Sequence, residues 1–324
     1  MADPWGPLWA VLRARAPLLP LHLPAHGRGR GLAPGLQALL RRPPGRWDLP
    51  ELPDWGGPLE PEGAVTQAQA AAATAFGADR CWFGVNGASG LLQAALLALV
   101  PPGAAVLLPR NLHRSLLHAC VLGDLVPLLY DLPYDPRTGL WLPAPVEHLE
   151  RVLAAAMARS APPQAAVLVD PTYQGLAADL AALVERLHAA GLPVLVDQAH
   201  GDGGAVAAGA DLTVLSLQKH GGGLAQSAAL LLRGGRVDAA ALERSLLWLQ
   251  TSSPSALLLA SSAAALAELG SEAGRRRRRR AEQRGLRLRR RLEAAGLSPL
   301  VNADPLRLVL PIAPLGFTGL AADA

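Results

Sequence analysis

The chain has 324 residues, 51% of them hydrophobic, a net charge of +4 and two cysteines. That length suggests roughly two domains with a core of real size, and no run of about 18 apolar residues is free of Pro, Gly or charge, which argues against a membrane-spanning helix. Cys81 and Cys120 are too few for a disulfide framework and fit no metal-ligand spacing, so no metal site and a reducing cytoplasm are expected.

Residues 1–60 are rich in Pro, Gly and Trp, with short helical pieces at 9–15 and 36–42. They read as an arm lying across a larger body. Residues 61–253 change grammar. Helices are expected at Ala64–Phe76, 88–100, 113–122, 146–158, 176–190 and Ala239–Leu249. Strands are expected at 80–85, 105–108, Val126–Tyr130, 165–169, 194–196, 212–215 and 227–232. Short, uniformly apolar strands alternating with amphipathic helices specify an α/β fold, a mostly parallel sheet sandwiched by helices. Beyond it, 254–324 reads as the start of a smaller C-terminal domain, cut short: two helices, at 255–269 and along an Arg-rich stretch, then one strand at 306–310. The surplus positive charge lies in that second helix (residues 275–280, Arg284, Arg287, 289–291). With no aromatic neighbours for base stacking, it is expected to be a solvated face and not a nucleic-acid stripe.

In such sheets ligands bind beyond the carboxyl ends of the strands. After the strand at 80–85 comes Asn86-Gly87-Ala88-Ser89-Gly90, whose small residues let backbone N–H groups approach an anion at a helix start. Asn111 and His113 follow the next strand, and Pro171 places Thr172 and Tyr173 at the rim of another. Asp197 ends the strand at 194–196, and Ser216 and Lys219 follow 212–215. Singly, these also fit a plain turn, an N-terminal polar residue and a capping acid. Lys219, however, is the only lysine among 30 basic side chains. Arginine never presents a neutral amine, whereas a desolvated lysine can attack a carbonyl. A lysine, a carboxylate and an anion-binding turn on one sheet edge match the needs of pyridoxal phosphate (PLP): an amine for its aldehyde, an acid for its ring nitrogen, an anion site for its phosphate. No G-x-S-x-G elbow, P-loop or zinc spacing competes.

The chain resembles the bacterial Orn/Lys/Arg decarboxylases, PLP enzymes of fold type I with the aspartate aminotransferase architecture. The resemblance runs from about residue 20 to 270. It rests on Pro20-Leu-His-Leu-Pro-Ala-His26, Val85-Asn-Gly-Ala-Ser-Gly90, Pro109-Arg-Asn-Leu-His113, Pro171-Thr-Tyr-Gln-Gly175, Val196-Asp-Gln-Ala-His-Gly201, Ser216-Leu-Gln-Lys219 and Leu249-Gln-Thr-Ser-Ser-Pro254. It implies that Lys219 holds the cofactor's aldehyde, Asp197 pairs with the ring nitrogen and His113 stacks on the ring. Ala88, Ser89 and Ser216 would bind the phosphate, Gln218 would also contact the cofactor, and His200 would lie by ring and substrate. Thr251 and Ser252 would reach the cofactor of a partner subunit, so a homodimer or a higher oligomer of dimers is implied. The implied activity is decarboxylation of arginine, lysine or ornithine to a polyamine precursor. Another fold type I reaction (transamination or lysis), or an inactive chain that only binds PLP or a partner, is the alternative. Fold type I enzymes usually take the substrate carboxylate on an arginine of the small domain, and Arg307 is a candidate stand-in.

Overall fold

The computed structural model describes residues 10, 22–50, 52–312 and 315–317; the helical piece expected at 9–15 falls, apart from Ala10, outside them. Uniformly apolar strands stack where both faces can be buried. The strands are β1 (Arg80–Gly84), β2 (Ala105–Pro109), β3 (Val126–Tyr130), the short hairpin β4 (Tyr134–Asp135) and β5 (Leu140–Trp141), then β6 (Pro163–Val169), β7 (Val194–Asp197), β8 (Leu212–Ser216) and β9 (Ala228–Leu232), of which β2, β8 and β9 are buried along their whole length and β3, at the edge, is largely exposed. All but the hairpin join one seven-stranded sheet in the order β1-β9-β8-β7-β6-β2-β3. Neighbours from β3 to β8 run parallel, and only β9 opposes its neighbours β8 and β1. The mostly parallel α/β architecture is therefore the one its sequence specifies.

The helices are α1 (Pro34–Leu40), α2 (Ala64–Phe76), α3 (Gly87–Leu99), α4 (Arg114–Leu122), α5 (Val146–Met157), α6 (Leu180–Ala189), the single turns α7 (Gly204–Ala207) and α8 (Leu217–His220), α9 (Ala239–Leu249), α10 (Ala256–Gly270) and α11 (Glu272–Ala294). Successive strand residues face opposite layers, as the two-residue period demands. Leu108, Val167 and Leu195 pack under α3, α4 and α9, whereas Leu107, Leu168 and Val196 pack against α5 and α6. At the β1 end, Phe83 and Leu231 meet α2 and α10. Burying a side chain of Leu or Phe size stabilises by about 1.5–3 kcal/mol, which makes this three-part core the main source of cohesion.

Two expectations are corrected. The helix expected from 176 begins at Leu180: Thr172 Oγ1 takes the N–H of Leu176 (3.1 Å), Asp170 Oδ1 takes that of Ala178 (2.7 Å), and Asp179 caps Ala182 (3.2 Å). The donors that would open a helix are already used by side chains upstream. The strand expected at 306–310 does not form; Leu300 N donates to Val309 O (2.8 Å), but no ladder follows. In α11 the arginine run meets acids: Arg275 and Arg279 pair with Glu272, Arg277 with Glu268, and Arg278 with Asp202 and Glu282.

The N-terminal segment lies on the body. Leu32, Ala33 and Leu36 form a small core with Leu224, Leu257 and Ala264. Ala25 N donates to the carbonyl of Gln218, beside Lys219 (2.9 Å). A β-carbon at Gly222 (φ +66°) would sit 2.4 Å from the Gly31 carbonyl, so this approach requires glycine.

Candidate active site

Because β1, β6, β7 and β8 point the same way, their carboxyl ends share one edge of the sheet. There a cavity of about 340 Å³ is lined by Ala88, Ser89, Asn111, His113, Tyr173, Asp197, His200, Ser216, Gln218 and Lys219, among others. The cofactor residues expected around a single lysine thus converge on it, except Thr251 and Ser252. Those two are exposed and are not among the lining residues; Thr251 Oγ1 accepts from Ser253 N (3.2 Å).

The helix α3 opens at the cavity with Gly87 at φ +69°, a value glycine adopts freely. Its N-cap, Asn86, makes no side-chain cap; its amide donates to Leu249 O instead (3.1 Å), and the first turn holds no acid. The N–H groups beside Ala88 and Ser89 therefore keep their positive character for an anion, worth about 0.3–1 kcal/mol and up to about 2 when partly buried. Gln250 ties the next segment to this turn, accepting from Val85 N and donating to Phe83 O (3.4 Å each). Sequence reasoning missed Gln250, although it lies inside a motif already singled out.

Asp197 is buried at the end of β7. Its Oδ1 accepts from Ala199 N (3.0 Å), and Oδ2 has no hydrogen-bond partner among the described residues. Burial raises its pKa, opposed by that N–H and by the nearby His113 and Lys219. A cation or N–H facing it would restore the charged form. His113 is both N-cap and cavity wall: its Nδ1 bonds Ser115 Oγ (2.8 Å) and accepts from Ser115 N (3.3 Å). Burial pushes His113 down, against the pull of Asp197.

Lys219 sits on the one-turn α8, its Nζ 3.0 Å from His200 Nε2. Burial lowers its pKa; Asp197 acts against that and Arg307 with it. His200 is pushed down to about 3 by burial, with Lys219, Arg307 and two histidines adding to it. The pair is a poised amine beside a neutral imidazole. Tyr173 packs edge-on against His200, ring centres 5.0 Å apart at 76°.

The candidate carboxylate binder, Arg307, does not line this cavity. Its guanidinium is committed to the carbonyls of Thr172 and Tyr173 and to His220. The residues present fit PLP. An amine, an acid with one oxygen open, an uncapped helix start and the Ser89 and Ser216 hydroxyls surround one cavity. The buried Asn111 Oδ1 on its wall also lacks a partner.

A family model for the Orn/Lys/Arg decarboxylase major domain matches residues 46–311. The arginine decarboxylase of Bacillus subtilis (strain 168) is 32% identical over 335 residues, covering 97% of this chain and 67% of that protein. That of Halalkalibacterium halodurans is 32% identical, covering 98% and 68%. Among solved structures, lysine decarboxylase A from Pseudomonas aeruginosa aligns with a TM-score of 0.67 at 23% identity, over 88% of this chain and 42% of that one. The chain thus spans about two thirds of these arginine decarboxylases and less than half of that lysine decarboxylase.

Proposed function

The chain belongs to the Orn/Lys/Arg decarboxylase family, PLP-dependent amino acid decarboxylases, and from that premise we propose that it decarboxylates a basic amino acid, with arginine as substrate and agmatine, a polyamine precursor, as product. The observation that carries this reading is the Lys219–His200 pair, 3.0 Å apart on the wall that also presents Asp197. The near-full-length likeness to proteins named arginine decarboxylase supports the choice of substrate.

PLP, when bound, supplies an electron sink for the pair left on the α carbon as carbon dioxide departs. The chain's own residues do the rest. Lys219, its amine held below the usual lysine range by burial, would hold the cofactor through its aldehyde. Asp197 would face the ring nitrogen and keep it protonated, its own charge restored by that N–H. The start of α3, with Ser89 and Ser216, would hold the phosphate. His113 would lie on the ring, and Gln218 would flank it. His200, kept neutral by burial, would accept a hydrogen bond from the Lys219 amine and orient it. Thr251 and Ser252, exposed in the single chain, would complete the site of a second copy in a homodimer. We place the enzyme in the cytoplasm; among the described residues no single helix is long and apolar enough to cross a membrane, and both cysteines are free and buried.

The test is an absorbance scan with PLP, before and after borohydride, followed by peptide mapping and by assay of carbon dioxide and agmatine from arginine. A visible band trapped on Lys219, absent in Lys219→Ala, with product release reduced about 10³-fold or more in that variant, is expected. Well-folded protein with no band would sink the reading. A keto acid in place of carbon dioxide would move the chain to transamination.

A further inference from the structure

The segment after α11 returns to the rim of the cavity and grips the loop that follows β6. Asn302 Nδ2 donates to Gln174 O (2.7 Å), Ala303 N donates to Gly175 O (2.9 Å), and Arg289 holds Asn302 Oδ1 (3.0 Å). Arg307 then spans two walls. Its Nη1 donates to the carbonyls of Thr172 (3.2 Å) and Tyr173 (2.6 Å), and its Nη2 to His220 Nε2 (2.8 Å). His220 follows Lys219 on α8, and Tyr173 packs on His200, the hydrogen-bond partner of Lys219. A planar guanidinium can make all three bonds from one fixed fork; an ammonium cannot hold that geometry. For His220 to accept, its Nε2 must be unprotonated. Burial pushes it down to about 4, the carboxylate of Asp304 pulling the other way and Arg307 adding to the burial.

An anchor for the C-terminal segment alone would need only the loop after β6. Arg307 also takes the helix that carries the lysine. We propose that Arg307 is a positioning residue of the active site: it locks the Tyr173 loop to α8 and so fixes the geometry of the Lys219–His200 pair.

The activity arm of the test rests on the decarboxylase reading; the structural arm does not. In the cofactor-free full chain, hydrogen exchange is measured at residues 172–175 for wild type, Arg307→Met and Arg307→Lys. In the PLP-loaded chain, the pH at which the visible band titrates is followed together with kcat and KM. Charged and titratable groups around Lys219 are Asp197 from β7, His200 from the loop after β7, His113 from the start of α4, His220 from α8 itself and Arg307. Arg307→Met is expected to speed exchange at 172–175, to move the titration upward through loss of a nearby positive charge, and to lower kcat about tenfold to 100-fold. Arg307→Lys should restore the titration and leave the loop unprotected, since it carries the charge without the fork. Wild-type exchange in Arg307→Lys would overturn the proposal, a result that stands even if Arg307→Met does not fold. So would unchanged exchange and titration in folded Arg307→Met. If wild type shows no band with PLP, the decarboxylase reading fails, and the exchange data still decide whether Arg307 clasps the two walls.

Discussion

Two buried aspartates stand at opposite edges of the same sheet. Asp211, just before β8, is 1% exposed: Oδ2 accepts from Val194 N and His188 Nε2, each at 2.7 Å, and Oδ1 lies 3.7 Å from Arg236. Asp197, at the far end of the adjacent strand β7, is 5% exposed and has one backbone donor, Ala199 N. Taking a carboxylate out of water costs several kcal/mol unless partners replace the lost hydration. The chain completes Asp211 by itself and leaves Asp197 incomplete, next to a lysine and a helix start. Burial without completion, at the edge where strands end, separates a site acid from a structural one.

Substitution of each acid sharpens that contrast most. Asp211→Ala leaves a half-buried histidine and a buried N–H without their acceptor and should cost about 1–3 kcal/mol in denaturant unfolding, with kcat unchanged while the protein is folded. Asp197→Asn should lower kcat about 10²–10³-fold, yet leave the cofactor-free fold as stable or slightly more so, since it removes an under-satisfied charge. Equal destabilisation by both substitutions would erase the distinction.

The sheet was legible because β2, β8 and β9 are buried along their whole length, so unbroken apolar runs mark them without ambiguity. The cavity positions of Lys219, Asp197, Ser89 and His113 were legible because each lies at a strand end or within five residues after it. What escaped depends on contacts distant in sequence. Leu306, Leu308 and Leu310 alternate as a strand does, but alternation does not supply a partner strand, and that stretch instead delivers Arg307 to a loop 134 residues earlier. The completion of Asp211 was equally invisible, since His188 and Arg236 come from different elements.

A smaller effect tests the burial of His200. Its folded pKa, about 3, lies below the usual value near 6.5. The unfolded chain therefore binds more protons between those values, and stability falls as pH drops through that window. In the cofactor-free protein, His200→Gln should remove this loss: near pH 5.5 the variant should gain about 1 kcal/mol on wild type relative to pH 8. Parallel denaturation midpoints of the two proteins from pH 8 to 5 would mean that His200 is not desolvated in the folded protein.

A further effect concerns the anion end of the site. Ser89 offers one hydroxyl at the start of α3, where backbone N–H groups supply the rest of the attraction. A hydrogen bond to a charged group contributes about 1.5–3 kcal/mol, so Ser89→Ala should weaken PLP about tenfold, read by fluorescence titration, without moving the absorbance maximum of the Lys219-bound form. Ala88 stands one position earlier on the same turn, and Ala88→Ser should tighten binding if its new hydroxyl meets the same oxygens. A Ser89→Ala variant with wild-type affinity would leave the phosphate to the helix terminus and Ser216 alone. A shifted maximum would mean that this turn touches the ring, and the division between an anion end at α3 and a ring end at Asp197 would have to be redrawn.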